Sequence, residues 1–420
     1  MNNLQISIII PTFNRWDTLL QCISALKEQT LDPSSYEVIV VDDGSTDKAY
    51  KTFISRQGTK NNEDNPLLPP LDKGGMGGFL NEGINNLKEI NFPNLRYFHQ
   101  NKRGPASARN LGIRNARGEI LLFIGDDIIA SDNLLEEHLI FHKKIFQEEN
   151  SACLGYITWP VNFKPSPFLD FMGNWGQFLF GNLLHGEELN YNHFYSSNIS
   201  LKKHFLLNKN IFFDENFKYA AWEDIEFGYR LEKEGLRIFF NRNAVVFHNH
   251  YQTIESAINR SKISGEALYL LLKKLPELSE NFGFLKTKKG FIPRHRFIKN
   301  IIRNKLSVAA MAGLLKLFNP DNFYMHTEKI QGLQDKNVLP IDRQSSRSAD
   351  PSTGSGWSPE VAEKYQHGEF VEPSQQRLTL QNRLLETRKK PNRLLKEIYK
   401  NILLYHLQKN FEKAQKNCQE

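Results

Sequence analysis

The sequence has few cysteines and no long apolar run. Its cysteines, Cys22, Cys153 and Cys418, lie far apart and show no metal-ligand spacing, so neither a zinc site nor a disulfide framework is indicated. The best candidate for a membrane span, residues 306–318, is too short and contains Lys316. The first residues lack the basic and apolar regions of a signal peptide. These absences predict a protein of a reducing compartment, the cytoplasm, without a membrane-spanning helix.

A strong excess of charge of one sign is also absent. The formal net charge is +7 across 420 residues, which suits anionic partners such as nucleotide phosphates, a membrane surface or nucleic acid without choosing among them. Helix-turn-helix, zinc-finger and RNA-binding aromatic signatures are not found, so we expect no nucleic-acid partner. Hydrophobic residues at 40% and charged residues at 24% are typical of a globular protein with an ordinary core.

Short apolar runs alternate with helical patterns in the first third of the chain. The predicted order is strand 6–10, helix 17–29, strand 36–41, strand 95–99, helix 106–116 and strand 119–124. Strands that alternate with helices form crossover units, which build a parallel sheet. The predicted fold class is therefore α/β, with a mostly parallel central sheet flanked by helices.

Polar clusters follow three of these strands at the point where each strand ends. The clusters are Thr12-Phe13-Asn14, Asp42-Asp43 and Asp126-Asp127. Because ligands of parallel α/β sheets bind beyond the carboxyl ends of the strands, we expect the three clusters to line one crevice. The carboxylates suit a hard divalent cation such as Mg²⁺ or Mn²⁺. The alternatives are ordinary turn chemistry after the second strand and a solvated loop after the last.

Two segments depart from this pattern. Residues 56–79 combine prolines with a glycine-rich run and predict a flexible insertion; a phosphate-binding loop is disfavoured, because no strand precedes it and no Gly-Lys-Ser/Thr follows. Residues 340–376 are rich in Ser, Pro, Gly and charge, and predict a disordered linker. We therefore divide the chain into an α/β domain over 1–255, a helical extension over 256–339, the linker, and a basic helical segment over 377–420.

A set of motifs occurs in the order known from one protein family. They are ISIIIPTFNR at 6–15, VVDDGSTD at 40–47, GPASARNLGI at 104–113, GEILLFIGDD at 118–127, SNIS at 197–200, WEDIEFGYRL at 222–231 and VVFH at 245–248. Together they resemble glycosyltransferase family 2 over residues 6–250. The resemblance implies a Rossmann-like GT-A fold for the catalytic domain, with a helical C-terminal extension. It also implies transfer of a sugar, with inversion, from a nucleotide-diphosphate donor (UDP, GDP or dTDP) with the help of Mn²⁺ or Mg²⁺.

The resemblance implies a donor pocket at the ends of the strands. Its donor-binding residues would be Pro11, Thr12, Asn14, Asp42, Asp43, Arg103, Arg109 and Asp126. Asp43, together with Asp42, would accept hydrogen bonds from the nucleobase or ribose, and Asp126 would serve the ribose or a bridging water. Arg103 and Arg109 would reach the donor phosphates, although a surface arginine or an ion pair on a helix explains either of them equally well.

Asp127 is the metal ligand that the resemblance implies. Many members of the family have a further Asp where this chain has Gly125, so the site lacks one usual carboxylate. His248 follows an apolar strand and matches a histidine that completes the metal site in many relatives; a neutral imidazole would offset the missing acid. A lone histidine after a strand is more often structural, and His250 is the alternative ligand.

The catalytic residues implied by the resemblance are Asp224 and Glu223. Asp224 matches the carboxylate that the family uses as general base, and Glu223 lies beside it. A helix is predicted to begin at this acidic pair, where capping and the helix dipole also favour acids. The nearby Tyr219 and Trp222 would form a platform for an acceptor sugar, or belong to the core.

The function implied by the resemblance is transfer of a single sugar. The Gln-x-x-Arg-Trp motif and the transmembrane helices of processive members are not found. The acceptor would be a hydroxyl of a glycan or of a lipid-linked molecule in bacterial cell-surface polysaccharide synthesis, with possible peripheral contact at the inner face of the membrane. The alternative is a catalytically degenerate sugar-nucleotide-binding protein that docks a partner. Gly125 and the insertion at 56–79 suggest this alternative.

Overall fold

The computed structural model of the chain describes residues 4–46, 92, 94–160, 163, 166–281 and 393–417. The insertion predicted at 56–79 and the linker predicted at 340–376 lie outside these residues, as does most of the extension predicted at 256–339. The boundaries of the predicted segments therefore stay predictions.

The first part of the described chain follows the predicted order of elements. It consists of strand β1 (Ile6–Thr12), helix α1 (Trp16–Lys27), strands β2 (Tyr36–Asp42) and β3 (Leu95–His99), helix α2 (Pro105–Asn115) and strand β4 (Ile120–Ile124). Strands β1, β2 and β4 are buried almost throughout, as apolar runs without polar alternation require. The pairings within the order β3-β2-β1-β4 are all parallel.

The remaining described residues extend this sheet and cover it. They form β5 (Ile128–Ala130), α3 (Leu134–Ile140), β6 (Ser151–Thr158), α4 (Pro167–Phe171), β7 (Glu188–Leu189), β8 (Asn198–Lys202), α5 (Lys203–Lys209), α6 (Glu223–Lys233), β9 (Arg237–His248), α7 (Ile254–Lys274) and α8 (Arg393–Asn417). The strands of the described residues make one sheet in the order β3-β2-β1-β4-β8-β6-β9-β5, and β7 pairs with β9.

Strand directions are mixed in the second part of the sheet. β8 runs antiparallel to β4 and β6, whereas β9 is parallel to β6 and antiparallel to β5 and β7. The predicted fold class, α/β with a large central sheet flanked by helices, is confirmed. Its parallel part is the β3-β2-β1-β4 side. Directions in the second part were not predictable, because a short apolar run has the same pattern in either direction.

Helix α2 packs against β1 and β2, whose ends carry two of the polar clusters, and helix α1 packs against β5, which follows the third cluster. The buried face of α1 consists of residues spaced three or four apart, namely Leu19, Cys22, Ile23 and Leu26. Burial of each of the larger aliphatic side chains stabilises the fold by about 1.5–3 kcal/mol. On α2, Gly112 allows close approach to the sheet, since a Cβ atom there would lie 2.5 Å from Cγ2 of Ile9.

Helix α8 returns from the end of the chain and packs against α7 and α4. Its Tyr399 and Ile402 are buried, and the ring of Tyr399 contacts the rings of Phe168 and Phe171 at centroid distances of 5.1 and 5.6 Å. The helix lies within the segment predicted to be helical. No helix of the described ranges, α7 and α8 included, combines the length and apolar character needed to cross a bilayer.

Gly265 on α7 is a point of close contact with α8, and it supports a stability prediction. A Cβ atom at this position would lie 2.7 Å from the carbonyl oxygen of Leu407 and 2.8 Å from the backbone nitrogen of Phe411. In an open helix Gly→Ala stabilises by about 1 kcal/mol. We expect Gly265→Ala to lower the melting temperature instead, because the backbone of α8 must move away. Differential scanning calorimetry measures this change.

The matched control is Glu266→Ala, which changes the exposed neighbour on the same helix. Its melting temperature should stay close to that of the natural protein, since exposed substitutions alter stability by about 0.5 kcal/mol or less. A Gly265→Ala protein that is more stable than the natural one would contradict the close contact between the helices.

Candidate active site

The turns that follow β1 and β2 are hydrogen-bonded to each other. The amide of Asp43 donates to the carbonyl of Thr12 at 2.9 Å. The amide of Asn14 donates to Ser45 Oγ, and the amide of Thr46 donates to Asn14 Oδ1, both at 2.8 Å. Asn14 has a φ of 53°, in the left-handed region that asparagine tolerates better than most residues. The two turns therefore form one continuous edge beyond the sheet.

Asp42 is fully buried at the end of β2, and both of its carboxylate oxygens have donors. The hydroxyl of Tyr97 donates to Oδ2 at 2.5 Å, and the amide of Ser45 donates to Oδ1 at 2.8 Å. The carboxylate thus joins β2 to β3 and stabilises its own turn. This is the turn chemistry that was one of the two interpretations of the sequence.

Asp43 is the acceptor for the loop that precedes α2. Its Oδ1 receives hydrogen bonds from the side chain of Gln100 and the amide of Arg103, both at 2.7 Å. Its Oδ2 receives one from the amide of Gly104 at 2.8 Å. A carboxylate oxygen can accept more than one hydrogen bond. The predicted contact with a nucleobase or ribose therefore remains compatible with this arrangement.

Asp126 and Asp127 follow β4. They contact Thr12, the last residue of β1, and Arg15 in the turn after it. Thr12 Oγ1 donates to Asp126 Oδ2 at 2.8 Å. A single nitrogen of Arg15, Nη1, lies 3.2 Å from Asp126 Oδ1 and 2.6 Å from Asp127 Oδ2. The parallel pairing of β1 with β4 puts these ends side by side, with half-buried Pro11 just before Thr12. The predicted convergence of strand ends is present.

His248 reaches the acidic pair from the last strand of the sheet. Ile128, which directly follows Asp127, pairs with His248 in the antiparallel ladder between β5 and β9. His248 Nε2 lies 3.5 Å from Asp127 Oδ2, and the amide of Asn249 donates to the carbonyl of Asp127 at 2.7 Å. His250 lies farther along, with its ring centroid 6.0 Å from that of His248. Asp127 and His248, predicted as partners, are neighbours in the structure.

The surroundings separate the two acids electrostatically. Burial and the adjacent charge of Asp127 raise the pKa of Asp126 to about 6, and Arg15 opposes this shift. Burial acts to raise the pKa of Asp127 as well, but His248 and Arg15 outweigh it and hold that pKa well below its usual range. Asp127 is therefore the more persistent negative charge of the pair, as a metal ligand must be.

The donor atoms around Asp127 suit a divalent cation. Within the described part of the chain, no three His, Cys, Asp or Glu side chains are arranged as a metal cluster. The carboxylates of Asp126 and Asp127 and the imidazole of His248 nevertheless provide the oxygen and nitrogen donors that Mn²⁺ accepts. His248 Nδ1 is buried and has no hydrogen-bond partner among the described residues. The residues fit the ion chemically, with Arg15 as the group that stands between the carboxylates.

Gly125 allows Asp127 to adopt this conformation. A Cβ atom at position 125 would lie 2.8 Å from Asp127 Oδ1. The carboxylate of Asp127 folds back over the glycine, so a third acid in the usual position would require Asp127 to move. Gly125 thus leaves room for Asp127 Oδ1, while His248 lies beside Asp127 Oδ2.

Asp224 lies at the start of α6, beside a buried ion pair. Trp222 begins this helix with a φ of 66°, a strained left-handed conformation that is rare for a large residue. Glu223 Oε1 accepts from Nη1 of Arg109 at 3.0 Å, and both of these side chains are buried. Burial and the charge of Glu223 raise the pKa of Asp224, while Arg109 acts in the opposite direction. A carboxylate of raised pKa is a stronger base.

Both arginines predicted to bind donor phosphates have carboxylate partners. Only 7% of the Arg109 side chain is exposed, and its charge is balanced by Glu223. Arg103 is more open and pairs with Glu215 at 2.6 Å. The ion-pair interpretation of the sequence therefore describes their present contacts, and their contact with the donor stays a prediction.

A wall of aromatic rings connects His248 to the surroundings of Asp224. The ring of Phe178 lies 6.0 Å from that of His248 and 5.4 Å from that of Tyr195, measured between centroids. Burial raises the pKa of Tyr195, and the charge of Asp224 adds to this rise. On the other side, Trp159 lies 5.3 Å from His248. A series of ring contacts therefore leads from His248 to Tyr195, whose electrostatic surroundings include Asp224.

The two aromatic residues proposed for an acceptor platform differ in position. The side chain of Tyr219 is 55% exposed, whereas Trp222 is half-buried and its Nε1 donates to the carbonyl of Ser264 on α7 at 3.0 Å. Tyr219 is thus exposed on the surface near α6, whereas Trp222 is hydrogen-bonded to α7.

Some residues of the site received no role from the sequence. Arg15 belongs to the motif at 6–15. Its position just after the first strand, at the edge where the acids were expected, is the signal that could have indicated its contact with them. Phe178, Trp159 and Tyr195 lie between the motifs and have no pattern of their own. Only the tertiary fold brings Trp159 and Phe178 to His248, and Tyr195 to Phe178.

Comparisons with known proteins match the part of the chain in which these strand ends lie. The family model described as Glycosyl transferase family 2 matches residues 7–57 and 80–160. The matched region contains the ends of β1, β2 and β4, and therefore the acidic pair with Thr12 and Arg15. It stops before α6 and the end of β9.

Individual relatives are glycosyltransferases. Uncharacterized glycosyltransferase YfnE of Bacillus subtilis is 26% identical over 290 residues, which covers 59% of this chain and 65% of that protein's own length. The dolichyl N-acetyl-alpha-D-glucosaminyl phosphate 3-beta-D-2,3-diacetamido-2,3-dideoxy-beta-D-glucuronosyltransferase of Methanococcus voltae is 23% identical over 276 residues, covering 64% of this chain and 74% of that one. Among solved structures, mannosyltransferase PcManGT from Pyrobaculum calidifontis in complex with GDP-Man and Mn²⁺ matches with a TM-score of 0.46 and 16% identity, covering 97% of this chain and 86% of the other.

The three hydrogen bonds accepted by Asp43 support a prediction for Asp43→Asn. An amide has one acceptor oxygen instead of two, so the amide of Gly104 or the donors on Oδ1 lose their partner. Leaving a buried donor unsatisfied costs about 1–3 kcal/mol. We expect the free energy of unfolding, measured by urea denaturation, to fall by an amount in this range. Asp17→Asn, at an exposed position on α1, is the control and should change it much less. Equal unfolding free energies for Asp43→Asn and the natural protein would contradict this role.

Proposed function

Because the chain contains a glycosyltransferase family 2 domain, we propose that it is an inverting glycosyltransferase dependent on Mn²⁺ or Mg²⁺. It moves one sugar from a nucleotide-diphosphate donor to a hydroxyl of a glycan or lipid-linked acceptor. The observation that carries the proposal is the pairing of two acidic centres along one aromatic wall. Asp127 with His248 forms one centre, and Asp224 forms the other.

The first centre would hold the cation and the donor diphosphate. Asp126, Asp127 and His248 are the ligands in this proposal, and the bound cation neutralises the charge that develops on the leaving nucleoside diphosphate. Asp127 contributes a carboxylate that is already ionised before the cation binds, since His248 and Arg15 lower its pKa in the cation-free protein. Asp126, with Thr12 Oγ1 on its second oxygen, keeps the acidic turn in position.

The second centre would accept the proton of the attacking hydroxyl. Asp224 removes that proton as the acceptor oxygen attacks the anomeric carbon, and the nucleoside diphosphate leaves from the opposite face. A single displacement of this kind inverts the configuration and needs no nucleophile from the protein. The buried pair of Arg109 and Glu223 fixes the start of α6, and therefore the direction of Asp224.

The donor nucleotide would lie on the edge formed by the turns after β1 and β2. Asn14 and Asp43 belong to that edge and, in this proposal, face a UDP, GDP or dTDP moiety, whereas the buried Asp42 stabilises the turn that carries them. Pro11 and Thr12 border it from β1.

The acceptor side is proposed from the chemistry of the relatives. The Methanococcus voltae relative is named for transfer to a dolichyl phosphate-linked sugar. A lipid-linked acceptor of this kind would bring a cytoplasmic protein to the inner face of the membrane as a peripheral protein. We propose that the protein acts in the synthesis of a bacterial cell-surface polysaccharide.

A second candidate function is that of a sugar-nucleotide-binding protein without catalysis, which docks a partner. The contact of Arg15 with both acids and the glycine at position 125 favour it. Donor binding without any transfer to any acceptor, in the presence of Mn²⁺, would be the property that distinguishes it.

The cation role of Asp127 is tested with Asp127→Asn. Purified protein is mixed with Mn²⁺ and a UDP-, GDP- or dTDP-sugar, and release of the nucleotide is measured. We expect release to fall by about a hundredfold or more, the size typical for the loss of one group that stabilises a developing charge. Asp32→Asn, at an exposed position in the turn before β2, should keep full activity. Full activity of Asp127→Asn would contradict the cation site.

The base role of Asp224 is tested with Asp224→Asn. We expect the affinity for the nucleoside diphosphate, measured by calorimetry, to stay unchanged while transfer at saturating donor falls by about 10²–10⁴-fold. A variant with weaker donor binding and a normal transfer rate would be incompatible with a base.

The pH dependence gives the same assignment a second readout. Only ionised Asp224 accepts a proton, so kcat/KM should rise with pH through the pKa of this group. Because burial and Glu223 raise that pKa, the midpoint should lie above the ordinary value of about 3.9 for aspartate. The residual activity of Asp224→Asn should lack this acidic limb.

A further inference from the structure

Arg15 is held at the acidic pair by the turn after β1. The left-handed conformation of Asn14 and the bonds of its amide and side chain to the turn after β2 fix the direction of the chain just before Arg15. The carbonyl of Arg15 accepts hydrogen bonds from Thr18 Oγ1 and from the amide of Leu19, and so begins helix α1. The backbone of Arg15 thus has a structural role that is independent of its side chain.

The side chain of Arg15 uses the same oxygen atoms that a cation would need. Its Nη1 bridges Asp126 Oδ1 and Asp127 Oδ2, and the latter oxygen is also the one nearest to His248 Nε2. A guanidinium nitrogen and a divalent cation cannot both bind between these carboxylates, since the two positive charges would repel at contact distance.

The guanidinium is also able to leave. The Arg15 side chain is 42% exposed, whereas the carboxylate side chains of Asp126 and Asp127 are 8% and 12% exposed. Movement of Arg15 into solvent therefore requires little repacking, while the acids stay in place. Their mutual repulsion would then be unbalanced unless another positive charge replaced the guanidinium.

We propose that Arg15 is an exchangeable counter-ion of the cation site. In the cation-free protein it holds Asp126 and Asp127 together, and a divalent cation displaces it when it binds. The inference rests on the cation of the proposed function. Its consequence is that Arg15 sets the affinity for the cation, because the energy of its two contacts must be given up on binding.

Mn²⁺ binding in the absence of any nucleotide tests this directly. The free Mn²⁺ signal in electron paramagnetic resonance is titrated with the natural protein, Arg15→Met and Arg15→Lys. We expect Arg15→Met to bind Mn²⁺ about tenfold more tightly than the natural protein or better, since one contact of this kind corresponds to about a factor of ten. Arg15→Lys keeps the charge and should stay near the natural affinity.

The matched control is Arg237→Met. Arg237 is a half-exposed arginine at the start of β9 that pairs with Glu188 at 2.6 Å, so its loss removes the same charge far from the acidic pair. Mn²⁺ affinity of this variant should equal that of the natural protein, which separates a local exchange from a general change in net charge. Circular dichroism spectra verify that each variant is folded.

A second readout is the stabilisation of the fold by the ion. Saturating Mn²⁺ raises the melting temperature in proportion to the logarithm of its affinity. The increase at a fixed Mn²⁺ concentration should therefore be larger for Arg15→Met than for the natural protein. It should be absent in Asp127→Asn, which lacks the ligand.

The outcomes distinguish the inference from the proposed function. Tight Mn²⁺ binding that is lost in Asp127→Asn but unchanged in Arg15→Met would overturn the counter-ion inference and leave the proposed cation intact. Mn²⁺ binding to none of the proteins, or binding that survives in Asp127→Asn, would overturn the cation site itself and the inference with it.

Discussion

The compensation of two adjacent negative charges at the end of β4 is the constraint on which the rest of this structure depends. Asp126 and Asp127 lie side by side in a mostly buried turn, where their repulsion is weakly screened. Three side chains relieve it, and each comes from a distant part of the chain. Thr12 is the last residue of β1, Arg15 lies in the turn after it, and His248 is the last residue of β9. The order of strands in the sheet is what makes these three meet.

Strands β5 and β9, in the second part of the sheet, position His248 beside the acidic pair. The ladder between β5 and β9 sets His248 opposite Ile128, one residue from the acidic pair. Behind His248 lies Trp159, whose Nε1 donates to the carbonyl of Leu169 at 2.8 Å, and beyond it Tyr399 of α8 closes the same apolar cluster. A helix from the end of the chain therefore supports the wall of the site.

The surroundings of Asp127 and Asp224 shift the pKa values of these two acids in opposite directions. His248 and Arg15 lower the pKa of Asp127 against the effect of burial, whereas burial and the neighbouring Glu223 raise the pKa of Asp224. A permanently ionised acid suits a cation, and an acid of raised pKa suits proton transfer near neutral pH. Arg109 limits the second shift by pairing with Glu223, so Asp224 lies next to a compensated charge and not an isolated one. Opposite pKa shifts are a property of the folded surroundings and cannot be attributed to the residue type.

The sequence by itself determined the α/β class and the strand ends that meet at one edge, because apolar periodicity and strand-end polar residues are local properties. Asp127, His248 and Asp224 were also identifiable, since each stands in a motif. Tertiary structure alone decided that Arg15 bridges the acids, that Arg109 pairs with Glu223 and that an aromatic wall joins the two centres. These are contacts between residues far apart in the chain, and their geometry depends on strand direction and register, which no local pattern encodes.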